Sequence, residues 1–143
     1  MSEVFIEKVR GIILDHFHDK NFDVQKLASI IGMSRSQVLR KVKIATGKSI
    51  NFLIKEIRLS ESVKLINNEE YTFAEIAYKV GFNNPQYFNK CFHDFYGYTP
   101  GEYKKSKVKG SVQAESSRML IKKKYFKVFF YILIVVLIKL LYD

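Results

Sequence analysis

Arginine, lysine and amide side chains recur in two short segments of the sequence, and these residue types can read DNA bases. The first segment supplies Arg35, Ser36, Gln37, Arg40 and Lys43, and the second supplies Asn84, Gln86, Asn89 and Lys90. Arginine and lysine pair with guanine in the major groove, whereas glutamine and asparagine pair with adenine. Gln86 and Lys90 are four residues apart and therefore share one face of a helix. Each segment is a candidate recognition helix.

The net charge also indicates a polyanionic partner. The chain has 143 residues and a formal net charge of +10. Residues 1–105 contribute +4 and residues 106–143 contribute +6. An excess of this size favours either nucleic acid or an acidic membrane surface as the partner. The second segment needs an explanation of its own.

The sequence offers no catalytic or metal-binding constellation. Cys91 is the single cysteine, which excludes an intrachain disulfide and a cysteine-rich zinc site. The three histidines are scattered, at positions 16, 18 and 93. Paired carboxylates, a Ser-His-Asp group and a glycine loop for phosphate are missing from the sequence. We therefore predict that the protein is not an enzyme and needs no cofactor or metal.

Capping signals divide residues 1–105 into helices. Apolar periodicity predicts a first helix over 4–17. Ser34 with Gln37, and Thr72 with Glu75, have the spacing of capping boxes, in which two side chains bond reciprocally to the backbone at a helix start. Further predicted N-caps are Asp23, Ser49, Asn84 and Thr99. We expect Cys91 and the Phe and Tyr cluster at 82–103 to pack inward.

These elements form an internal repeat. Ala28 and Gly32 recur as Ala77 and Gly81, at an offset of 49 residues, and the offset becomes 50 from Ser34 onward. Each copy is a short helix, a turn containing glycine, and a capped second helix, which is the helix-turn-helix arrangement. An ordinary helical bundle with glycine in its turns is the alternative for one copy alone. Two matched copies favour the helix-turn-helix.

The residues that carry the repeat resemble the AraC/XylS family of bacterial transcription regulators. The resemblance lies in EIAYKVGFNNPQYFNKCFHDFYGYTPGEY at 75–103, LASIIGMSRSQVLRKVKIATGKS at 27–49 and IRLSESVKLI at 57–66. It implies an all-α, seven-helix DNA-binding domain over 1–105. Within it, helix-turn-helix one covers 23–46, a linker helix covers 50–66, and helix-turn-helix two covers 72–96.

The resemblance also implies which residues face DNA. In the first recognition helix the base-facing positions are Ser36, Leu39 and Arg40, with Arg35, Gln37 and Lys43 near phosphates or base edges. In the second they are Pro85, Gln86, Asn89 and Lys90. Backbone amides after Ser34, Asn84 and Thr99 are expected to bind phosphate. Leu39 and Pro85 depart from what base reading needs, and Leu39 either touches a thymine methyl or packs inward. Double-stranded DNA is the implied partner, with RNA polymerase as a further one.

The C-terminal segment has a different character. Residues 106–124 form a basic, polar linker, and YFKVFFYILIVVLIKLLY follows at 125–142. Eighteen helical residues span about 27 Å, close to the ~30 Å hydrocarbon core of a bilayer. We therefore expect a transmembrane helix. A buried oligomerisation helix, a β-prone segment and a tail from a shifted reading frame are the alternatives.

Basic residues crowd the N-terminal side of this segment, so the positive-inside rule places residues 1–124 in the bacterial cytoplasm, anchored to the inner membrane by a single pass. The interpretation is a membrane-tethered, sequence-specific DNA-binding regulator. The second interpretation is a membrane-surface interaction protein, with a linker that binds anionic lipid and a helical domain that binds protein. A fragment of a longer sensor-regulator is the third.

Overall fold

The computed structural model describes residues 2–68 and 70–108, and every regular element within them is an α-helix. The helices are α1 (Ser2–His16), α2 (Val24–Ile31), α3 (Arg35–Thr46), α4 (Ile50–Ile66), α5 (Phe73–Lys79), α6 (Pro85–Tyr96) and α7 (Pro100–Val108). The prediction of seven helices is confirmed for the described residues. The chain divides into two compact units between Pro100 and Gly101, and α1–α6 belong to the first.

Capping side chains set where the helices begin. Ser34 Oγ accepts the Gln37 N–H at 3.3 Å, and Gln37 Oε1 accepts the Ser34 N–H at 3.0 Å. Thr72 and Glu75 repeat this capping box with distances of 3.3 and 2.8 Å. Each such cap contributes about 1 kcal/mol, because it satisfies amides that the helix leaves unpaired. The remaining caps before α2, α4 and α6 are formed by Asp23, Ser49 and Asn84, as predicted.

The two helix-turn-helix units, α2–α3 and α5–α6, use the same turn. In each, the N–H of the residue after the glycine donates to the alanine carbonyl, at 3.1 Å to Ala28 and 2.9 Å to Ala77. This closure requires a left-handed residue, and Gly32 and Gly81 supply it with φ of +75° and +86°. The repeat inferred from the sequence is thus a repeat in the backbone.

The first subdomain (α1–α3) packs around fully buried aliphatic side chains. They come from α1, α2 and α3 and from the N-terminal half of α4, and they are Val9, Ile13, Leu27, Val38, Val42, Ile50 and Leu53. Burying a side chain of this size contributes about 1.5–3 kcal/mol. The core therefore holds α3 with a fixed face toward solvent, and α4 contacts α1 and α3 on one side and α5 on the other.

The second subdomain (α5–α6) has an aromatic core. Phe88 is fully buried, with ring centroids 5.2 Å from Phe82 and 5.8 Å from Phe92. Cys91 is buried as predicted. The prediction of a Phe and Tyr core fails at Tyr87, which is 54% exposed. Tyr87 lies one residue before Phe88 on α6, so the helix turns it outward when Phe88 packs inward.

The C-terminal expectations fall mostly outside the described residues. Helix α7 continues to Val108, three residues beyond the boundary predicted at 105. The first three residues of the linker predicted at 106–124 are therefore helical. None of the helices in residues 2–68 and 70–108 has the length and apolar character to cross a membrane. The rest of that linker and the transmembrane helix predicted at 125–142 lie outside the described residues.

Candidate nucleic-acid interface

Helix α3 presents a polar face to solvent because its opposite face is locked in the core. Val38 and Val42 are one turn apart and fully buried. Most of the side chains between and beside them project outward, and the exposed ones include Arg35, Ser36, Gln37, Arg40 and Lys43. The structure thus brings these five predicted site residues onto the outer surface of one helix.

Two of these side chains also bond at the ends of α3. Gln37 Oε1 accepts the Ser34 N–H in the capping box. Lys43 Nζ donates to the Gly47 carbonyl at 2.7 Å, where the helix terminates. Lys41, another cation of α3, leans toward α1, with Nζ 5.4 Å from the centre of the Phe5 ring. Arg40 lies between these two ends on the exposed face.

Leu39 has a different environment from its predicted neighbours. It is half-buried and packs against the core of the first subdomain. Of the two roles open to it, the packing role is the one that this environment favours. Apolar contact with the core contributes to holding α3 in place whether or not DNA is bound.

Helix α6 repeats the arrangement of α3 with other side chains. Phe88 and Phe92 occupy the buried positions of Val38 and Val42. Asn84 Oδ1 accepts the N–H groups of Gln86 and Tyr87 at 2.7 and 3.1 Å, which fixes the start of the helix. The predicted site residues Gln86, Asn89 and Lys90 are exposed, and Pro85 is half-buried.

Tyr87 is an exposed side chain that the sequence interpretation assigned to the core. It occupies the repeat position of Gln37, so the 50-residue offset was the signal that could have identified it. Its ring centroid lies 6.1 Å from that of Phe82. A hydrogen bond with the Cys91 thiol raises the pKa of Tyr87. The phenol adds an aromatic surface to the outer face of α6.

The two helices differ in charge. Helix α3 carries four cations, Arg35, Arg40, Lys41 and Lys43, and its sequence has no acid. Helix α6 has Lys90 and Asp94, which leaves it close to neutral apart from His93. Ser34, the N-cap of α3, and Thr99, which precedes α7, were predicted to mark phosphate contacts, and both are exposed. Within the described part of the chain, no group of three or more His, Cys, Asp or Glu could hold a metal ion.

The helix-turn-helix domain family matches residues 27–106 of this chain. The chain belongs to the AraC/XylS family, and the resemblance noted in the sequence is confirmed. The match covers more than half of the chain, from α2 through the glycine turns and capped helices to α7.

Two relatives contain a region similar to this one. The chain is 33% identical over 103 residues to histidine kinase P4 of Formosa agariphila, covering 72% of this chain and 8% of the kinase. It is 38% identical over 92 residues to an HTH-type transcriptional regulator in the cgkA 5' region of Pseudoalteromonas carrageenovora, covering 64% of this chain and 53% of that regulator. The chain therefore spans only a tenth to a half of the length of these relatives.

A solved structure has the same fold. The DNA-binding domain of AdpA, a global transcriptional factor determined in complex with a target DNA, superposes with a TM-score of 0.67 at 26% identity. The superposition covers 75% of this chain and 96% of the AdpA domain.

Proposed function

We propose that this protein is a sequence-specific, double-stranded DNA-binding transcription regulator. The observation that carries the proposal is the pair of capped helices, α3 and α6, each with a buried apolar face and an exposed polar one. A helix with this construction fits the major groove, and two of them read two half-sites about one helical turn apart. The DNA complex of AdpA supports the same use of the fold.

Base reading is assigned to the outermost side chains. Arg40 donates a bidentate pair of hydrogen bonds to guanine, and Ser36 lies one turn before it on α3. On α6, Gln86 pairs with adenine and Lys90 with guanine, while Asn89 lies beside them. Other predicted site residues flank these positions. On α3 they are Arg35, Gln37 and Lys43, and at the start of α6 they are Asn84 and Pro85. Leu39 supports α3 from within, and the amides after Ser34, Asn84 and Thr99 bind phosphate.

The difference in charge between α3 and α6 gives the two helices different roles in DNA binding. The α3 cations other than Arg40, which are Arg35, Lys41 and Lys43, neutralise phosphates and carry the electrostatic part of the affinity. Helix α6, with compensating charges, contributes mainly hydrogen-bond reading through Gln86 and Asn89. Loss of Arg35, Lys41 or Lys43 should therefore weaken binding to all sequences, whereas loss of Arg40 or of the α6 amides should alter sequence preference.

Selection of bound duplexes from a random pool tests the proposal. We expect a bipartite motif with half-sites about 10 base pairs apart, and an affinity that falls steeply with salt. The double variant Arg40→Ala/Gln86→Ala should lose the motif. Lys64→Ala should keep it, because Lys64 belongs to α4 rather than to a recognition helix and pairs there with Glu61 at 2.7 Å.

Binding without sequence preference would contradict the proposal. Binding to anionic vesicles but not to duplex DNA would instead favour a membrane-surface interaction protein. Competition experiments distinguish the two functions. A duplex that carries the selected motif should displace bound DNA better than a scrambled duplex if the protein reads bases, whereas binding to vesicles should not depend on the sequence of the competitor.

The tether is a further part of the proposal, and it rests on the sequence of 125–142 and the lysines before it. An apolar segment of this length, preceded by a basic linker, holds the DNA-binding unit at the cytoplasmic face of the inner membrane. RNA polymerase then meets the regulator at DNA recruited to that surface. Separation of cells into membrane and soluble fractions tests the tether.

Output from a longer signalling protein is the second candidate function. The match to a histidine kinase, of which this region covers 8%, is the observation that favours it. In that arrangement the same two helices read DNA, and the signal comes from another segment. Immunoblotting of cell extracts measures the size of the protein in cells, and so distinguishes a chain of 16.8 kDa from a longer product.

A further inference from the structure

Three separate elements of the first compact unit meet around one side chain, that of Arg58. Arg58 lies on α4 and is half-buried. Its Nε donates to the Phe17 carbonyl at 3.0 Å, and its terminal Nη2 donates to the Asp19 carbonyl at 2.8 Å. Both acceptors belong to the loop that joins α1 to α2. The linker helix is thereby bonded to the first subdomain across about forty residues of chain.

The turn of the second helix-turn-helix reaches the same point. A Cβ at Gly81 would overlap the Phe17 carbonyl oxygen and would lie 2.8 Å from Arg58 Nε. Gly81 is buried there, whereas a Cβ at Gly32, its counterpart in the first unit, would meet nothing within 4 Å. The glycine of the second turn therefore has a packing role that its repeat partner lacks.

The loop on the other side of the contact is itself braced. Asp19 Oδ2 accepts from Lys26 Nζ at 2.9 Å, and Oδ1 accepts the Asn21 N–H at 2.8 Å. The Asp19 carbonyl accepts the Phe22 N–H at 3.0 Å in addition to Arg58. Because these hydrogen bonds restrict the loop, Arg58 and the Gly81 turn contact a surface that is fixed relative to the first subdomain.

We propose that Arg58 is a positioning residue that fixes the separation of the two recognition helices, and with it the half-site spacing that the protein accepts. The Arg58 junction, formed by Phe17, Arg58 and Gly81, joins the first subdomain to a turn that ends three residues later at the N-cap of α6. A shift at Gly81 is carried directly into α6. This inference rests on the proposed reading of DNA by α3 and α6.

The separation of α3 and α6 determines which spacing between two half-sites both helices can contact at once. Adding one base pair between half-sites moves the second by about 3.4 Å along the axis and about a tenth of a turn around it. A junction held by two charge-assisted hydrogen bonds resists displacements of that size. Among the contacts that remain without it is the Phe52–Phe95 ring pair between α4 and α6, with centroids 6.4 Å apart.

The test measures the helix separation directly, in the full-length protein without DNA. Spin labels at Ile44→Cys on α3 and His93→Cys on α6, both exposed positions, in a Cys91→Ser background, give a distance distribution by pulsed electron resonance. Arg58→Met should broaden or shift this distribution by at least about 3.4 Å, the rise of one base pair. Arg10→Met is the matched control, since Arg10 joins α1 to α4 only through Glu56 at 3.5 Å.

A second measurement uses duplexes that carry the selected half-sites with spacers changed by one and two base pairs. Wild-type protein and Arg10→Met should accept one spacing, and Arg58→Met should lose this discrimination while its affinity for a duplex with one half-site stays unchanged. Should Arg58→Met fail to unfold cooperatively in urea, Arg58→Lys, which keeps the charge but reaches one carbonyl, takes its place and should show an intermediate broadening.

An unchanged distance distribution in a folded Arg58 variant would overturn the inference. If the distribution broadens but no duplex is bound, the positioning role stands and the proposed DNA reading fails. If duplexes bind and the spacing preference persists in Arg58→Met, the junction does not set the spacing and the inference is wrong.

Discussion

At the scale of single residues, Arg40 is the side chain on which the DNA-reading proposal depends most directly. It lies on the exposed face of α3, two residues after buried Val38 and two before buried Val42. Arg40→Ala should cost about 1–3 kcal/mol on the preferred site and relax specificity at one base pair. Titration of the selected duplex and its single-position variants measures this effect.

Lys41→Ala is the matched control for Arg40, since it removes the same charge from the next position of the same helix. Lys41 leans over the Phe5 ring of α1. Its loss should leave the base preference of the protein as it was. An Arg40→Ala protein with wild-type affinity and preference would show that α3 reads DNA through other residues or not at all.

Glu75 gives a pH-dependent prediction at the same scale. Hydrogen bonds from the Thr72 backbone N–H and hydroxyl lower the pKa of Glu75 from its ordinary value of 4.5. A carboxylate whose pKa is lower in the folded state stabilises the fold above pH 4.5, and this contribution is lost as pH falls through the folded pKa. Glu75→Gln should therefore unfold with less pH dependence than wild type.

Urea unfolding at several pH values between 6 and 3 measures this difference. The capping box of α3 supplies the reciprocal variant, because Gln37 occupies there the position that Glu75 has in front of α5. Gln37→Glu should add pH dependence in the same range. Parallel pH profiles for wild type and Glu75→Gln would mean that the Thr72 bonds do not favour the ionised carboxylate.

At the scale of elements, the two glycine turns predict unequal tolerance to substitution. Gly32→Ala should cost about 1–2 kcal/mol, because a Cβ is strained at a positive φ but meets no neighbour there. Gly81→Ala carries the same strain and must also push the α5–α6 turn away from the Phe17 carbonyl. It should lower both the free energy of unfolding and the affinity for the bipartite duplex by more than Gly32→Ala does.

Thermal unfolding and duplex titration of the two alanine variants, side by side, check this prediction. Gly81→Val, with a larger side chain, should enlarge the difference. Equal losses at positions 32 and 81 would indicate that backbone strain alone decides the cost of substitution, and that the contact with Phe17 relaxes freely.

At the scale of the whole molecule, the prediction concerns the segment 125–142. Val135→Arg together with Val136→Arg should move the protein from the membrane to the soluble fraction, because each charge at mid-bilayer costs about 2.5–3.5 kcal/mol on insertion scales. Truncation after Val108, the last residue of α7, should do the same and leave the affinity for duplex DNA intact.

Fractionation and duplex titration of the wild type, the arginine variant and the truncated protein test this prediction. Val135→Ala/Val136→Ala, which keeps the segment apolar, should remain in the membrane fraction and is the control. Wild-type protein in the soluble fraction would contradict the tether. Loss of cooperative unfolding on truncation would show that the C-terminal segment contributes to the folded core.

The local structure could be predicted from the sequence because its causes are local. Capping boxes and glycines act within a few positions of one another, so Ser34 with Gln37 and Thr72 with Glu75 marked helix starts that the structure shows. The internal repeat then assigned the fold class, and the exposed faces of α3 and α6 followed from helical periodicity.

Contacts between elements distant along the chain were decided only by the tertiary structure. The sequence gives Gly32 and Gly81 equivalent roles, and only packing shows that one is open and the other lies against Phe17 and Arg58. Arg58 has the charge of a surface residue, yet its hydrogen bonds cross about forty residues of chain. Leu39 likewise needed the packed helices to show which way it turns, because burial depends on neighbours that the sequence does not bring together.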